Sequence, residues 1–303
     1  MNDHVSKAAH AQPHFHRVCI IGVGLLGASL GLALKQARLA DKVVGVGRAG
    51  SPSLAVALER GAIDQAYTDP LDGVAGADLV VICTPLLQFE ATLKAIKPGL
   101  SSRTMITDVG STKMQVMDWV RRILGPDALF VGSHPMAGSE QRGPSAARAD
   151  LYHNAVCLMT PLHGAPPQVF EKISALWQAL GMRTIPVDAD LHDRWVATIS
   201  HVPHAAAFAL FRSAADEPDA LHVAAGGFTD TTRIASSDPD VWTDIFMTNR
   251  EAVMEALDRY MQELSTLWRM LESDDAPALR QYLDQTRQQR QAWLDQRQNR
   301  SSS

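Results

Sequence analysis

A histidine followed by a proline and a run of small residues offers this chain its clearest chemistry: His134-Pro135-Met136-Ala137-Gly138-Ser139-Glu140. Imidazole titrates near neutral pH and can take a proton from a hydroxyl. Pro135 fixes its own φ and restricts the backbone of His134, so the ring sits on a stiff segment. The small residues and the carboxylate that follow suit a shaped pocket wall. The same run would equally serve as a strand end whose histidine only closes a loop. Upstream, Asp108-Val109-Gly110-Ser111-Thr112-Lys113 ends another apolar run. A hydroxyl at Ser111 could reach both a substrate and His134. Asp108 reads as a plain helix N-cap, and Lys113 as a surface charge.

A second chemical signal lies near the start of the chain, in Gly22-Val23-Gly24-Leu25-Leu26-Gly27. It follows an apolar strand pattern and opens a helical one, the context in which this glycine spacing marks a dinucleotide-binding turn. Gly22 permits the tight turn, Gly24 lets a pyrophosphate approach the backbone, and Gly27 lets helix and strand pack closely. The free amides at the helix start, Leu25 and Leu26 among them, suit phosphate. A glycine-rich turn without a ligand is the alternative. After the second strand pattern the chain reads Val46-Gly47-Arg48-Ala49-Gly50-Ser51. Gly47 stands where an acid usually binds the adenosine ribose, and Arg48 follows it. A guanidinium with hydroxyls nearby suits a 2′-phosphate, so NADP is favoured and NAD remains open. Thr84-Pro85 ends a further strand and should flank the same ligand.

These residues require elements to hold them. Apolar strand patterns cover 18–21, 43–46, 79–83, 105–109, 129–131, 156–159 and 184–187, with helical patterns at 28–36, 53–60, 114–123 and 168–180. Strands apolar on both faces and alternating with helices predict an α/β fold: a Rossmann-type, doubly wound, mostly parallel sheet. From about residue 188 onward only helical patterns follow, at 190–211, 240–248, 250–272 and 276–296, predicting a C-terminal all-helical domain. The organisation expected is a flexible tail over 1–16, a dinucleotide-binding domain over 17–188, a helical domain for substrate binding and dimerisation over 189–297, and a frayed tail over 298–303. The stripe Val253, Leu257, Tyr260, Met261, Leu264, Leu267, Trp268 and Leu271 is read as chiefly core, with part of it free to meet a second subunit.

Composition narrows the classes. A net charge of -5 gives no electrostatic footprint for nucleic acid, and no apolar run is long enough to span a bilayer. His4, His10, His14 and His16 are metal-capable by type, but a mobile tail fixes no geometry for them, and no metal is expected. His201 and His204, one helical turn apart, lack an evident third ligand. Cys19, Cys83 and Cys157 sit in apolar runs and read as reduced, buried thiols, which points to the cytoplasm.

Taken with Asp193-Arg194-Trp195-Val196-Ala197-Thr198-Ile199-Ser200-His201-Val202-Pro203-His204 and Gly227-Phe228-Thr229-Asp230-Thr231-Thr232-Arg233-Ile234-Ala235, the three motifs above resemble the prephenate/arogenate (cyclohexadienyl) dehydrogenase family of tyrosine biosynthesis. The likeness runs from about Arg17 to Leu271. It implies hydride transfer to NAD(P) with oxidative decarboxylation of prephenate to 4-hydroxyphenylpyruvate. Arogenate giving tyrosine directly, or a dual cyclohexadienyl specificity, are alternatives. It implies His134 as the catalytic base, Ser111 beside it, Arg233 on a substrate carboxylate, His204 on the substrate side chain, and Ser139 and Glu140 in the pocket. Asp193 and Asp230 fall at family positions read as orienting groups around the substrate. A homodimer through the helical domain is also implied. An ion pair of Arg233 with Asp230 is compatible with that role or with a purely structural one. Remoter readings are a β-hydroxyacid dehydrogenase, which would use a lysine where this chain has His201 and His204, and a non-catalytic NADP sensor.

Overall fold

The computed structural model describes residues 12–138 and 141–301. Eight strands form one sheet: β1 (Phe15–Ile21), β2 (Ala40–Val46), β3 (Gln65–Tyr67), β4 (Leu79–Ile82), β5 (Met105–Asp108), β6 (Phe130–Pro135), β7 (Val156–Pro161) and β8 (Arg183–Pro186). Their order is β3-β2-β1-β4-β5-β6-β7-β8. Every neighbouring pair is parallel except β6 with β7, where His134 stands opposite Leu158. Helices α1 (Leu25–Gln36), α2 (Pro52–Glu59), α3 (Pro70–Val74), α4 (Phe89–Ile96), α5 (Met114–Leu124) and α6 (Pro167–Ala179) connect the strands. The sheet is thus doubly wound, with the order reversing between β1 and β4.

Alternation along β1 shows why both faces are buried. Val18 and Ile20 join Leu30, Leu34, Ile173 and Trp177 on one face. Cys19 and Ile21 join Phe89, Leu93, Trp119 and Val120 on the other. β3 is missing from the sequence reading because Gln65-Ala66-Tyr67 is short and only half-buried, with no apolar run to mark it. β1 begins at Phe15, so the last two residues of the expected tail belong to the sheet. The three cysteines are free thiols, Cys19 and Cys157 buried and Cys83 partly so.

After β8 the described residues form helices only: α7 (Ala189–Val196), α8 (Val202–Ala214), α9 (Pro218–His222), α10 (Gly226–Thr232), α11 (Pro239–Thr248), α12 (Arg250–Glu272) and α13 (Ala276–Ser301). The predicted run 190–211 is two helices joined by a π-turn over Ala197–His201. Pro203, in the first turn of α8, has no N–H to give, and the wider turn absorbs the missing bond. α11 is part of the main body, with Trp242 and Ile245 in the second core.

The chain divides into two compact units, 1–253 and 254–303, and the division falls inside α12. The second unit holds the rest of α12 and all of α13. The stripe read as chiefly core is largely bare: Tyr260, Met261, Leu264, Trp268 and Leu271 are exposed. α13 runs to Ser301. No helix among the described residues is long and apolar enough to cross a membrane.

Candidate active site

A cleft of 690 Å³ opens at the carboxyl ends of the strands, where ligands bind in doubly wound sheets. Gly22, Gly24, Leu25, Leu26, Gly27, Arg48, Thr84 and Pro85, all eight residues expected to hold a dinucleotide, line it together with Ser111. The glycine turn is built as its spacing demands. Gly22 has φ +94°, and a Cβ there would lie 2.6 Å from the Cys83 carbonyl oxygen. A Cβ on Gly27 would strike the Gly22 carbonyl oxygen. A Cβ on Gly24 would meet no protein atom within 4 Å. Gly22 and Gly27 are therefore constrained by the chain itself, whereas the space at Gly24 is left to a ligand. α1 starts there without a side-chain cap, so its first amides are available to phosphate. These features fit a nicotinamide dinucleotide.

Arg48 is exposed at the cleft, with Ser51 and Ser53 also lining it. Near the far end of the cleft the Arg142 guanidinium pairs with Asp238 at 2.8 Å, and Leu87 donates its amide to Asp244 at 3.1 Å. Both contacts join segments that line the cleft.

His134 is buried near the end of β6, and Ala137 and Gly138, just beyond it, line the cleft. Its Nδ1 lies 2.9 Å from Nε2 of His192. His192 Nδ1 lies 2.7 Å from Asp193 Oδ1. The Asp193 carboxylate also accepts the backbone amides of Lys113 at 2.7 Å and Met114 at 2.9 Å, so α7 caps the start of α5. Asn249 donates Nδ2 to the Asp193 carbonyl at 2.9 Å and to His201 Nδ1 at 3.2 Å. Burial drives the His134 pKa well below its usual value, and the neighbouring His192, Lys113 and His201 push the same way. Burial, helped by Lys113 and His201, takes His192 down to about 2. It takes His201 to about 4 against the pull of Asp193. His134 is therefore a neutral imidazole at neutral pH.

Several residues depart from their sequence reading. Lys113 is fully buried, not a surface charge. Its Nζ pairs with Asp108 Oδ2 at 2.9 Å and donates to the carbonyls of Gly110 and Thr112. Asp108 caps no helix; it accepts the amides of Gly110 at 2.8 Å and Ser133 at 3.0 Å, tying the end of β5 to β6. A fully buried lysine beside a fully buried aspartate leaves neither charge unpaired. Asp193, expected to orient groups around the substrate, gives both carboxylate oxygens to protein groups. Trp195, in the motif 193–204, is exposed.

His204 is half-buried and stacks on Trp242, ring centroids 3.5 Å apart and planes at 23°. It donates Nδ1 to the Ser200 carbonyl at 2.9 Å, which leaves Nε2 free. Burial lowers its pKa, the Ser200 bond opposes that, and the charge of Arg233 adds to the lowering. Trp242 and Ser111 line the same cleft. His204 thus reaches the cleft through Trp242 and feels the charge of Arg233, while neither His204 nor Arg233 lines the cleft itself. Arg233 and Asp230 are both exposed, and no ion pair joins them among the described residues. Ser139 and Glu140 lie outside the described residues. Of the four metal-capable histidines near the N-terminus, His14 and His16 both pair with Asp41, and His4 and His10 lie outside the described residues. His201 and His204 gather no third ligand among the described residues.

His192, Asn249 and Trp242 are the site residues that sequence reasoning missed. One signal was present: His192 and Val196 share a face of α7, and a histidine on an apolar face is buried.

Comparison with known proteins bears on this geometry. Residues 30–186 match the model described as prephenate dehydrogenase, nucleotide-binding domain, and residues 188–285 the one described as prephenate dehydrogenase, dimerization domain. The prephenate dehydrogenase of Bacillus subtilis is 33% identical over 88% of this chain and 72% of its own length. The cyclohexadienyl dehydrogenase of Zymomonas mobilis is 32% identical over 92% of this chain and 96% of its own. The crystal structure of prephenate dehydrogenase from A. aeolicus, in complex with hydroxyphenyl propionate and NAD+, superposes with a TM-score of 0.84 at 30% identity, covering 91% of this chain and 97% of that one. A cleft suited to a dinucleotide, a buried neutral histidine three residues before the cleft-lining Ala137 and matches over both halves lead to one conclusion: the chain belongs to the prephenate dehydrogenase family.

Proposed function

We propose that this enzyme oxidatively decarboxylates prephenate to 4-hydroxyphenylpyruvate, with His134 as its base. The carrying observation is the buried, neutral His134 whose Nδ1 is already engaged by His192, leaving Nε2 for a substrate hydroxyl. A bound oxidised nicotinamide dinucleotide supplies the acceptor for the hydride that leaves the hydroxyl-bearing ring carbon. His134 takes the hydroxyl proton as that carbon becomes a ketone. The ring carboxylate then departs as carbon dioxide, its bonding pair aromatises the ring, and His134 returns the proton to the phenolate oxygen. Arg233, exposed beside His204, holds a substrate carboxylate, and the Ser111 hydroxyl steadies the reacting oxygen. Asp230 stands close to Arg233 in sequence and would help to orient it. Ser139 and Glu140, on the segment after His134, would complete the pocket.

The cofactor preferred is NADP, because Arg48, Ser51 and Ser53 line the cleft where no acid stands at Gly47. Residues 189–297 would bind substrate and form a homodimer, supported by the bare apolar stripe of α12. Three free cysteines in the sheet region suit the cytoplasm. The cyclohexadienyl dehydrogenase likeness favours arogenate as a second substrate, and the two differ only in a keto against an amino group.

The test is steady-state kinetics with both substrates and both dinucleotides, on the native chain and on His134→Asn. The native chain should form reduced dinucleotide and carbon dioxide in equal amounts. His134→Asn should bind dinucleotide normally and lose on the order of a hundredfold or more in kcat. Because the His134 pKa is lowered, the base stays neutral through pH 7 and the acidic limb of kcat/KM lies below pH 6.5. Near-normal turnover in His134→Asn would refute the assignment.

A further inference from the structure

The hydrogen bonds behind His134 fix more than its position. Asp193 Oδ1 is an acceptor: it takes the Lys113 amide, and its partner oxygen takes that of Met114. The 2.7 Å contact from His192 Nδ1 to Oδ1 therefore places a hydrogen on Nδ1. A neutral His192, fully buried, then has a bare Nε2. The 2.9 Å contact between that nitrogen and His134 Nδ1 needs one hydrogen, which must come from His134. A neutral His134 with hydrogen on Nδ1 has its lone pair on Nε2, the atom left to face substrate.

We propose that His192 and Asp193 are positioning residues that hold His134 in the Nδ1-protonated tautomer, so that its Nε2 is always the accepting atom. The arrangement is a His-His-Asp relay of orientation, in which no proton need travel beyond His134. Three features make it rigid. Asp193 is anchored by two amides at the start of α5 and, through its carbonyl, by Asn249. The rings of His134 and His192 lie 5.1 Å apart, centroid to centroid, tilted by 55°. All three side chains are buried, which strengthens the hydrogen bonds between them. A histidine side chain free in water favours the other tautomer, with hydrogen on Nε2, and a base presenting N–H in place of a lone pair cannot accept the hydroxyl proton. Loss of the correct tautomer disables a histidine base even where its position is kept.

This inference rests on His134 being the base, and its test separates the two ideas. The full chain, labelled with 15N-histidine, would be examined by NMR at pH 8. His134 and His192 should each show a protonated Nδ1 and an unprotonated Nε2. In His192→Leu the His134 resonances should move toward the Nε2-protonated form. Its kcat should fall on the order of tenfold to a hundredfold, with KM for substrate and dinucleotide affinity changed less than about twofold. His192→Gln, whose Oε1 can accept from His134 Nδ1, should recover most of that loss. A native His134 protonated on Nε2 would overturn the proposal, as would His192→Leu with undiminished kcat. Should His192→Leu not fold, the native spectrum and His192→Gln decide. Should the native chain oxidise no prephenate, the proposed function fails while the spectrum still reports the relay.

Discussion

The proposed preference for NADP rests on a single side chain, Arg48. It stands exposed at the cleft beyond β2, where Gly47 replaces the acid that would repel a phosphate. Arg48→Ala should raise KM for NADP on the order of tenfold, the worth of one charge-assisted bond to phosphate, and leave KM for NAD within about twofold. Equal losses for both cofactors would show that Arg48 only stacks or solvates. Other residues are less independent. Lys113, Asp108, Ser133 and Gly110 form one buried network, so removing either charge strands the other. The identity of each residue was plain in the sequence, but its environment was not. Lys113 lies at the start of a helix after a short turn of small residues, where a lysine is ordinarily solvated. Only the approach of β6 and α7 encloses it.

At the scale of an element, the β1–α1 turn separates two roles that one glycine motif combines. A methyl on Gly27 would strike the Gly22 carbonyl oxygen and crowd Ile20. Gly27→Ala should therefore cost about 1–3 kcal/mol of stability, seen as a Tm lowered by several degrees. A methyl on Gly24 meets only open space within the protein. Gly24→Ala should keep its Tm and still weaken dinucleotide binding, measured by titration of intrinsic fluorescence. If both variants melt alike and bind alike, the space at Gly24 is not reserved for a ligand. α7 shows how far an element's role can escape a linear reading. Its pattern Leu191-His192-Asp193-Arg194 looks like an ordinary exposed helix start. Its use as the cap of α5 and the support of His134 depends on where β6 and α5 present their ends.

At the scale of the whole molecule, three histidines among the described residues are sealed in as neutral rings: His134, His192 and His201. Each has its folded pKa depressed below the unfolded value of about 6.5, so the unfolded chain takes up protons that the folded chain refuses. Their contribution is complete above pH 6.5 and is lost progressively as pH falls below it. The urea midpoint should be flat from pH 7 to 8 and drop steeply between pH 6.5 and 5. A midpoint unchanged over that range would mean the rings are not buried neutral. What the sequence determined by itself was the class of fold and the chemistry available. Period and composition mark the strands of a two-faced sheet. The glycine spacing marks the turn, and His134, Ser111, Arg233 and His204 are legible through their motifs. Those signals are local, because each depends on residues within a turn or two of chain. The tertiary structure decided which of them share a surroundings. It buried Lys113 against Asp108, stacked His204 on Trp242, and brought His192 and Asp193 from α7 to the back of His134. Burial and hydrogen bonds between segments far apart in the chain set a side chain's charge and tautomer, and no spacing along the sequence records them.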